Sequence, residues 1–324
     1  MNSVNFSRKI FPILLIVTLI AACSGPATTT KTPLRVAYTQ QWGDYTLIIA
    51  DKKDIFKKYG LDVKPVYYGV FSKALPDLAS GQLDAGSLTL SDTLNVNYHT
   101  SLSVVAISDD GGTSVIVAQP DILDIANLKG KRIGVNIGST YELMVAEMLG
   151  MKGIKSSDVT LVDIDPELIP QALKDNSIQA GFTWQPYSTE AISGGNHILY
   201  SNEKLSGLFV NAIVFRSDVV TQRPEDVRSF LKAWFEAVEF RINNPDEANH
   251  LIAFALNIPV DQVHGDAKLL SLNDNLVIYT QNADGNTTSV YSMAQTNAEF
   301  LLRNGSLTKI PSMTQLFNPS FLIK

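Results

Sequence analysis

The chain has 324 residues, of which 45% are hydrophobic and 18% are charged, and its formal net charge is −6. This is the composition of a globular protein, it excludes wholesale disorder, and the length is enough for two domains of ordinary size. The acidic balance excludes the basic surface that nucleic-acid binding needs, and the four histidines lack the spacing of a zinc site. We therefore expect no nucleic-acid partner, no metal and no cofactor.

Residues 1–22 have the pattern of a secretory signal peptide. Arg8 and Lys9 form a basic start, and the apolar run of 11 residues that follows, residues 10–20, is too short to span a bilayer comfortably. The run ends in two alanines and Cys23, in a sequence, LIAAC, that resembles the lipobox of bacterial lipoproteins. Cys23 is thus the predicted lipidation site, and a plain signal peptide with a chance cysteine is the alternative. Residues 23–33, rich in small polar residues and proline, are predicted to form a flexible tether.

Beyond this tether, apolar strand-like runs alternate with helical ones, which predicts βαβ units and a mainly parallel sheet. The predicted elements of the first half are a strand at residues 34–38, a helix at 46–59, a strand at 61–68, a helix at 73–80 and a strand that begins at Ala85. Gly60 and Gly81 stand at the ends of the two helices, where a glycine commonly terminates a helix.

The same pattern recurs in the second part of the chain. It predicts strands at residues 131–135 and 159–163 and helices at 140–149 and 167–174. Residues 78–86 and residues 173–181 both end a helix, turn and enter a strand through an Ala-Gly pair, at an offset of 95 residues. We interpret the repeat as two lobes built alike, with chance similarity of short motifs as the alternative. In α/β sheets ligands bind beyond the carboxyl ends of the strands, so facing lobes would form a binding cleft.

Four stretches resemble motifs of the nitrate/sulfonate/taurine-type solute-binding proteins, a family that also includes binders of thiamine-pyrimidine precursors. They are KKYGLDV (57–63), SGQLDAG (80–86), NLKGKRIGV (127–135) and the segment from RPEDV to NPDEA (223–248). The resemblance covers nearly all of residues 34–310. It implies the α/β, two-lobed type II periplasmic-binding-protein fold, in which each lobe is a mainly parallel sheet flanked by helices.

The resemblance also implies how the chain is divided. The first lobe would comprise residues 34–116 and 212–324, and the second lobe residues 117–211, with crossings near residues 115–119 and 209–215. The implied function is the extracytoplasmic solute-binding component of an ABC importer, a monomer that closes over a small-molecule ligand. Its partners would be the permease and ATPase subunits and, through the lipid anchor, the membrane.

Loops at the predicted strand ends supply the candidate ligand-binding residues. These are Gln40, Trp42, Phe71, Ser87, Thr89 and Asp109 in the first lobe, and Ser139, Thr140, Trp184 and Tyr187 in the second. The aromatic members can sandwich a flat or methyl-bearing ligand, or they are simply part of the core. The helix start at Ser139 and Thr140 can hold an anion through backbone N–H groups, or it is an ordinary cap.

Asp109 is the sharpest charged feature of these loops. Its carboxylate can pair with an amine or amidine of the ligand, or the Asp-Gly sequence that follows marks a solvated turn. The loops contain few arginines, whereas a nitrate or sulfonate site would use arginine forks or several backbone donors. This favours a neutral or amine-bearing small heterocycle over a simple inorganic anion.

Two other functions are compatible with the sequence. An enzyme of the same fold that acts on a pyrimidine or related metabolite is one, because a fold alone does not decide function. The export signal and the lack of a Ser/His/Asp cluster count against catalysis, so we expect no enzyme. The other is a sensory module that presents its ligand to a receptor, which needs the same closing binder.

The lipobox-like sequence generates a first prediction. Replacing Cys23 by serine removes the thiol that would carry the lipid, so the variant should leave the membrane fraction and appear in the soluble fraction. Fractionation and immunoblotting after a high-salt wash measure this. A variant that stays with the membrane after the wash contradicts the anchor.

Overall fold

The computed structural model describes residue 1 and residues 32–202, 208–280 and 289–323. The folded body begins at Pro33. The predicted signal peptide and tether fall almost wholly on residues 2–31, outside the described residues. No helix within the described ranges is both long and apolar enough to cross a membrane.

The described residues form ten strands and a larger set of helices. The strands are β1 (Leu34–Tyr38), β2 (Val63–Tyr67), β3 (Ala85–Thr89), β4 (Leu102–Asp109), β5 (Ser114–Ala118), β6 (Arg132–Val135), β7 (Thr160–Asp163), β8 (Ala180–Trp184), β9 (His197–Ser201) and β10 (Asn211–Arg216). The α-helices are α1 (Tyr45–Lys52), α2 (Ile55–Lys58), α3 (Ala74–Ser80), α4 (Leu90–His99), α5 (Thr140–Gly150), α6 (Ile169–Lys174), α7 (Tyr187–Ser193), α8 (Ser217–Gln222), α9 (Pro224–Asn243), α10 (Pro245–Leu256), α11 (Leu272–Thr280), α12 (Val290–Arg303) and α13 (Met313–Leu316).

The strands form two sheets of the same topology, one in each lobe. Their orders are β2-β1-β3-β10-β4 in lobe 1 and β7-β6-β8-β5-β9 in lobe 2. In each sheet the fourth strand, β10 or β5, runs antiparallel to both of its neighbours, and the other strands share one direction. The predicted two-lobed α/β fold with mainly parallel sheets is confirmed.

The chain crosses between the lobes earlier than the sequence predicts. β4 ends at Asp109 in the first sheet and β5 begins at Ser114 in the second, so the outgoing crossing is residues 110–113. The chain returns between Ser201 and Asn211. A boundary at residue 116 would cut β5, whose residues are all buried inside the second sheet. The apolar run predicted to connect the lobes is therefore a core strand.

The repeated helix-to-strand turn is held in lobe 1 by an ion pair. Arg35 of β1 donates hydrogen bonds from Nε and Nη2 to the two carboxylate oxygens of Asp84, at 3.1 and 2.8 Å. The same Nη2 donates to the carbonyl of Gly81, which ends α3 with a φ of +80°. The turn that enters β3 is thus tied to the neighbouring strand β1.

In lobe 2 the corresponding turn is tied to β6 by hydrogen bonds of an arginine, without an ion pair. The backbone N–H of Arg132 in β6 donates to the side-chain oxygen of Gln179 at 3.1 Å, and its Nη2 donates to the carbonyl of Asn176 at 2.5 Å. Asn176 is left-handed, with a φ of +55°, as Gly81 is in lobe 1. The sequence repeat therefore reflects one structural need, which is to tie the turn that enters β3 or β8 to the neighbouring strand, β1 or β6.

Helix α9 is the largest helical contribution to the lobe 1 core. It begins with proline in its first turn, where no intrahelical N–H donor is lost, and it ends just before Pro245. Its buried positions 227, 230, 231, 234 and 238 follow the spacing of one helix face. This face packs against α1, and the buried Arg241 of the last turn is thereby placed beneath the β1–α1 loop.

One predicted helix is divided in the structure. Residues 46–59 were expected to form a single helix, and they form α1 and α2 instead. Asp54 lies between the two with a left-handed φ of 55°, which interrupts the helical path.

The Arg35–Asp84 pair generates a prediction for stability. Asp84→Ala removes the acceptor of a charged hydrogen-bond pair, so the free energy of unfolding should fall by about 2 kcal/mol. Asp121→Ala, at an exposed loop position, is the matched control and should stay close to the wild type. Urea denaturation followed by circular dichroism compares them, and equal unfolding midpoints of the two variants contradict the role of the pair.

Candidate functional site

A cavity lies between the two lobes, beside both crossings. It holds about 510 Å³ of empty space, which includes open solvent. Its lining comes from both lobes: Gln41, Trp42, Gly43, Thr89, Asp109, Gly111, Gly112, Thr113, Ser114, Tyr141, Trp184, Gln185, Phe209, Asn211, Gly265, Asp266 and Ala267.

The side chain of Asp109 joins the two crossings at the base of this cavity. Oδ1 accepts hydrogen bonds from the N–H of Gly111 at 2.9 Å and from Nδ2 of Asn211 at 2.8 Å, and Oδ2 accepts one from the Ser108 hydroxyl at 2.8 Å. The residue is 1% exposed, and burial raises the pKa of its carboxyl although all three hydrogen bonds lower it. Asp109 therefore fixes where the outgoing and returning segments lie.

The crossings also approach each other too closely for a side chain at Gly111. Its φ is +85°, and a Cβ there would lie 2.2 Å from the carbonyl oxygen of Phe209. Asn202 clamps the outgoing segment, because its Nδ2 donates to the carbonyl of Gly112 at 2.9 Å and its Oδ1 accepts the N–H of Ser114 at 3.1 Å. Glycine and short polar side chains thus bring both connections into one place.

On the lobe 1 side the cavity wall is the indole of Trp42, which packs against the buried guanidinium of Arg241. The Arg241 guanidinium carbon lies 4.4 Å from the centre of the Trp42 ring, and Nη1 donates to the Trp42 carbonyl at 2.8 Å and to the Thr46 hydroxyl at 2.9 Å. The backbone of Gly265 comes so close that a Cβ would lie 2.3 Å from the indole. Trp42 is therefore a fixed wall.

Arg241 is accompanied by two buried carboxylates. Burial lowers its pKa to about 9, and the charges of Asp109 and Asp44 act in the opposite direction. Burial raises the pKa of Asp44 to about 7, although Thr39 donates to Oδ2 from its N–H and its hydroxyl. The other oxygen, Oδ1, has no hydrogen-bond partner in the described part of the chain. The single charge of Arg241 thus acts on both Asp109 and Asp44.

The lobe 2 wall is a stack of aromatic rings. Tyr141 stacks on Phe182 with ring centres 4.3 Å apart, and Trp184 lies 5.4 Å from Tyr141. Trp184 is only 9% exposed, so it belongs to the core of lobe 2 as well as to the cleft. Its indole N–H has no partner among the residues described.

Hydrogen bonds join the lobes beside the cavity. The N–H of Thr140 in lobe 2 donates to the Ser91 hydroxyl of lobe 1 at 3.0 Å, and its hydroxyl donates to Oδ1 of Asn297. The N–H of Phe71 in lobe 1 donates to Oε1 of Glu167 in lobe 2 at 3.2 Å. Burial raises the pKa of Glu167 to about 7. The two lobes are therefore in direct contact beside the cavity.

The predicted ligand-binding residues divide into three groups. Trp42, Thr89, Asp109 and Trp184 line the cavity. Phe71 and Thr140 lie at the interface between the lobes and form the hydrogen bonds given above.

The remaining four predicted residues do not line this cavity. Gln40 offers its backbone carbonyl to a tyrosine hydroxyl at 3.2 Å, and the Ser87 hydroxyl pairs with a neighbouring serine inside lobe 1. Ser139 caps α5 by accepting the N–H two positions ahead at 3.1 Å, which is the alternative given above for that residue. Tyr187 is partly buried against the core of lobe 2.

Several residues that line the cavity were not among those predicted from the sequence. Tyr141 comes directly after a predicted site residue, so the first turn of α5 was the available signal. Phe209 and Asn211 lie at the return crossing, and Gly265–Ala267 belong to a segment without a counterpart in the repeat. Within the described part of the chain, no group of three or more acidic, histidine or cysteine side chains is placed to hold a metal.

Comparisons with known proteins agree with this architecture. The model of the family "NMT1/THI5 like" matches residues 44–248. A Brucella abortus protein described only as a binding protein is 27% identical over 241 residues, which are 73% of this chain and 75% of the relative. The taurine-binding periplasmic protein of Escherichia coli is 27% identical over 174 residues, 52% of this chain and 54% of the relative.

Solved structures share the fold. The alkanesulfonate-binding protein SsuA from Xanthomonas axonopodis, bound to MOPS, superposes with a TM-score of 0.72 at 17% identity, covering 89% of this chain and 98% of that one. The desulfurization enzyme DszB superposes with a TM-score of 0.67 at 16% identity, covering 90% and 98%. The molecule has the fold of two-lobed solute-binding proteins, and its sequence relatives include periplasmic binding proteins and a Saccharomyces cerevisiae pyrimidine phosphate synthase. The chain belongs to the NMT1/THI5-like family, and the prediction of a solute-binding protein is confirmed.

The close approach at Gly111 generates a prediction for the crossing. Gly111→Ala adds a methyl group against the Phe209 carbonyl, so it should destabilise the protein by at least about 2 kcal/mol more than Gly60→Ala. Gly60 is the matched control, because its φ is also positive, at +70°, but nothing lies within 4 Å of its Cβ position. Chemical denaturation measures both, and equal losses of stability would show that the two connections can separate freely.

Proposed function

We propose that the protein captures a small organic solute outside the cytoplasm and delivers it to the permease of an ABC importer. The observation that carries this proposal is the cavity whose lining comes from both lobes and both crossings. A solute in that position touches both lobes only when they are closed, so it stabilises the closed form. The permease and ATPase subunits are the proposed partners, with the binding protein acting as a monomer.

The connections between the lobes suit this mechanism. Two short segments meet at the Asp109 side chain, and hinges usually lie at such ends of elements. The hydrogen bonds of Thr140 and Phe71 across the interface would break on opening and form again on closing. A closed shape of this kind allows the permease to distinguish the loaded protein from the empty one.

The walls of the cavity suggest how a solute is held. Trp42 and Trp184 stand on opposite lobes, and the unpartnered indole N–H of Trp184 can donate to an acceptor on the solute. Asp109 uses three hydrogen bonds, and a carboxylate has about four acceptor positions, so one remains for a donor of the solute. A solute of the sulfonate or taurine type is suggested by the relatives, and a pyrimidine-like solute by the flat aromatic walls.

Catalysis is the second candidate, because an enzyme, DszB, shares the fold. The lining of the cavity counts against it. Its hydroxyl-bearing residues are not accompanied by a histidine, cysteine or lysine that can act as base or nucleophile, within the ranges that the structure describes. We therefore propose binding without chemistry. A sensory role would use the same closure and differs only in the membrane partner.

Attachment to the membrane completes the proposal. The periplasmic relatives support an extracytoplasmic location, and a lipid on Cys23 would keep the binding protein near its permease. Stable anchoring needs more than one acyl chain.

Closure generates a prediction that scattering can test. Native mass spectrometry identifies the solute that accompanies the purified protein, and adding this solute to protein stripped of it should reduce the radius of gyration.

Ser91→Ala removes the acceptor of the Thr140 N–H in the other lobe, so the affinity for this solute should fall about fivefold. Ser101→Ala is the matched control, since its hydroxyl bonds Ser217 within lobe 1, and it should bind as the wild type does. A saturating solute that leaves the radius of gyration unchanged contradicts the closing mechanism.

A further inference from the structure

Three carboxyl groups from the two lobes come together at the contact between Phe71 and Ser72 of lobe 1 and lobe 2. On the lobe 2 side, Oε1 of Glu167 accepts the N–H of Phe71 at 3.2 Å, and Oδ2 of Asp165 accepts the Ser72 hydroxyl at 3.0 Å. On the lobe 1 side, Asp92 lies in the first turn of α4 and is 5% exposed. The charge of Asp165 acts on both other acids, and that of Asp92 acts on Glu167. These three residues form a carboxyl cluster that extends across the interface.

The hydrogen bonds at this contact leave the carboxyl cluster incompletely satisfied. Oε2 of Glu167 is buried and has no hydrogen-bond partner within the described residues. The two oxygens of Asp165 are both used, because Oδ1 accepts Nδ2 of Asn136 at 3.4 Å. Asp92 accepts the hydroxyl of Thr89 through Oδ2. A buried carboxylate oxygen that has neither a donor nor a cation is costly, and a neutral carboxyl reduces that cost.

The other groups that face the cluster do not compensate its charge. The charge of Glu167 acts on Tyr141 of α5 and on Tyr187 of α7, and both are phenols, which are uncharged near neutral pH. The basic residues nearest to this contact in the sequence, Lys73 and Lys174, are exposed. The charges that act on Glu167 are those of the other two acids of the cluster, and both raise its pKa. Closing the lobes therefore brings like charges together.

We propose that closure of the two lobes takes up a proton at the Glu167 carboxyl, so that acidic conditions favour the closed form. The proposal rests on the proposed function, which requires closure, and adds control by pH. The proton comes from the solvent and is held on Oε2, because Oε1 accepts the Phe71 N–H. In the open form water reaches both sides of the contact, and we expect the carboxyls to ionise there as ordinary acids.

The pKa shifts set the direction and the range of this effect. Burial raises the pKa of Glu167 from 4.5 to about 7, so the closed form binds the proton more tightly than the open form. The resulting advantage of the closed form is fully present below pH 4.5 and is lost as the pH rises through about 7. One carboxyl of this kind should make the ratio of closed to open protein about tenfold higher at pH 6 than at pH 8. Burial raises the pKa of Asp92 to about 6, which acts in the same direction.

Two measurements on protein stripped of solute test the proposal, with the proton as the only effector. Small-angle scattering should give a smaller radius of gyration at pH 6 than at pH 8 if the stripped protein is mainly open. If it is mainly closed, the protection factor of the Phe71 N–H, measured by NMR and corrected for the pH dependence of amide exchange itself, should be about tenfold higher at pH 6. At least one of the two quantities should therefore respond.

Variants assign the effect to the cluster. Glu167→Gln removes the titrating group and keeps a side-chain oxygen for the Phe71 N–H. At pH 8 this variant should be as closed as the wild type is at pH 6, and the change between the two pH values should shrink to about twofold, the contribution of Asp92. Glu147→Gln, the same substitution at an exposed position of α5 in lobe 2, is the matched control and should keep the full pH dependence.

The outcomes separate control by pH from the proposed function. The inference is overturned if neither quantity changes between pH 6 and pH 8, if the protein closes as the pH rises, or if Glu167→Gln keeps the pH dependence of the wild type. The proposed function survives each of these results, because it fails only if the accompanying solute causes no closure. An equal loss of pH dependence in Glu147→Gln and Glu167→Gln would also overturn the inference, since the effect would then come from the overall charge of the protein.

Discussion

The arrangement of the two lobes depends on one buried carboxylate. Asp109 occupies the last position of β4, where the chain leaves lobe 1, and it accepts hydrogen bonds from the outgoing segment at Gly111 and from the returning segment at Asn211. Because both connections are bonded to the same side chain, any rotation of lobe 2 must pivot close to it. The cavity lies against this pivot, so a solute bound there acts where a small rotation decides whether the lobes meet.

The return of the chain to lobe 1 also supplies the positive charge that acts on this carboxylate. A buried carboxylate is costly unless donors and an opposite charge accompany it. Two of its three donors, Gly111 and Asn211, come from the outgoing and returning segments. The opposite charge is Arg241, near the end of α9, which follows the return from lobe 2 in the chain. The same return supplies Gly265, whose backbone holds the Trp42 ring. Residues that follow the return from lobe 2, Arg241 and Gly265, thus complete the cleft wall around Trp42.

Features that repeat along the chain, or that involve neighbouring residues, can be predicted from the sequence. Contacts between residues far apart in the chain cannot. The paired helix-to-strand turns predicted two similar lobes, because Asp84 and Gln179 accept hydrogen bonds from an arginine of the neighbouring strand at corresponding positions. The donor Asn211 stands 102 residues from Asp109, so no local pattern could show whether this acid faces a ligand or holds the hinge. β5 was mistaken for a connection because a short apolar run looks the same in either role.

Acids at the interface act on the closure of the lobes. Burial raises the pKa of Asp92 in lobe 1 to about 6, and the charge of Asp165 in lobe 2 adds to this rise, so acids of the two lobes already repel each other in the closed form. In an open cleft, water would screen these charges, and closing removes the water. Closure without a solute therefore carries an electrostatic cost. These charges therefore favour the open form of the empty protein.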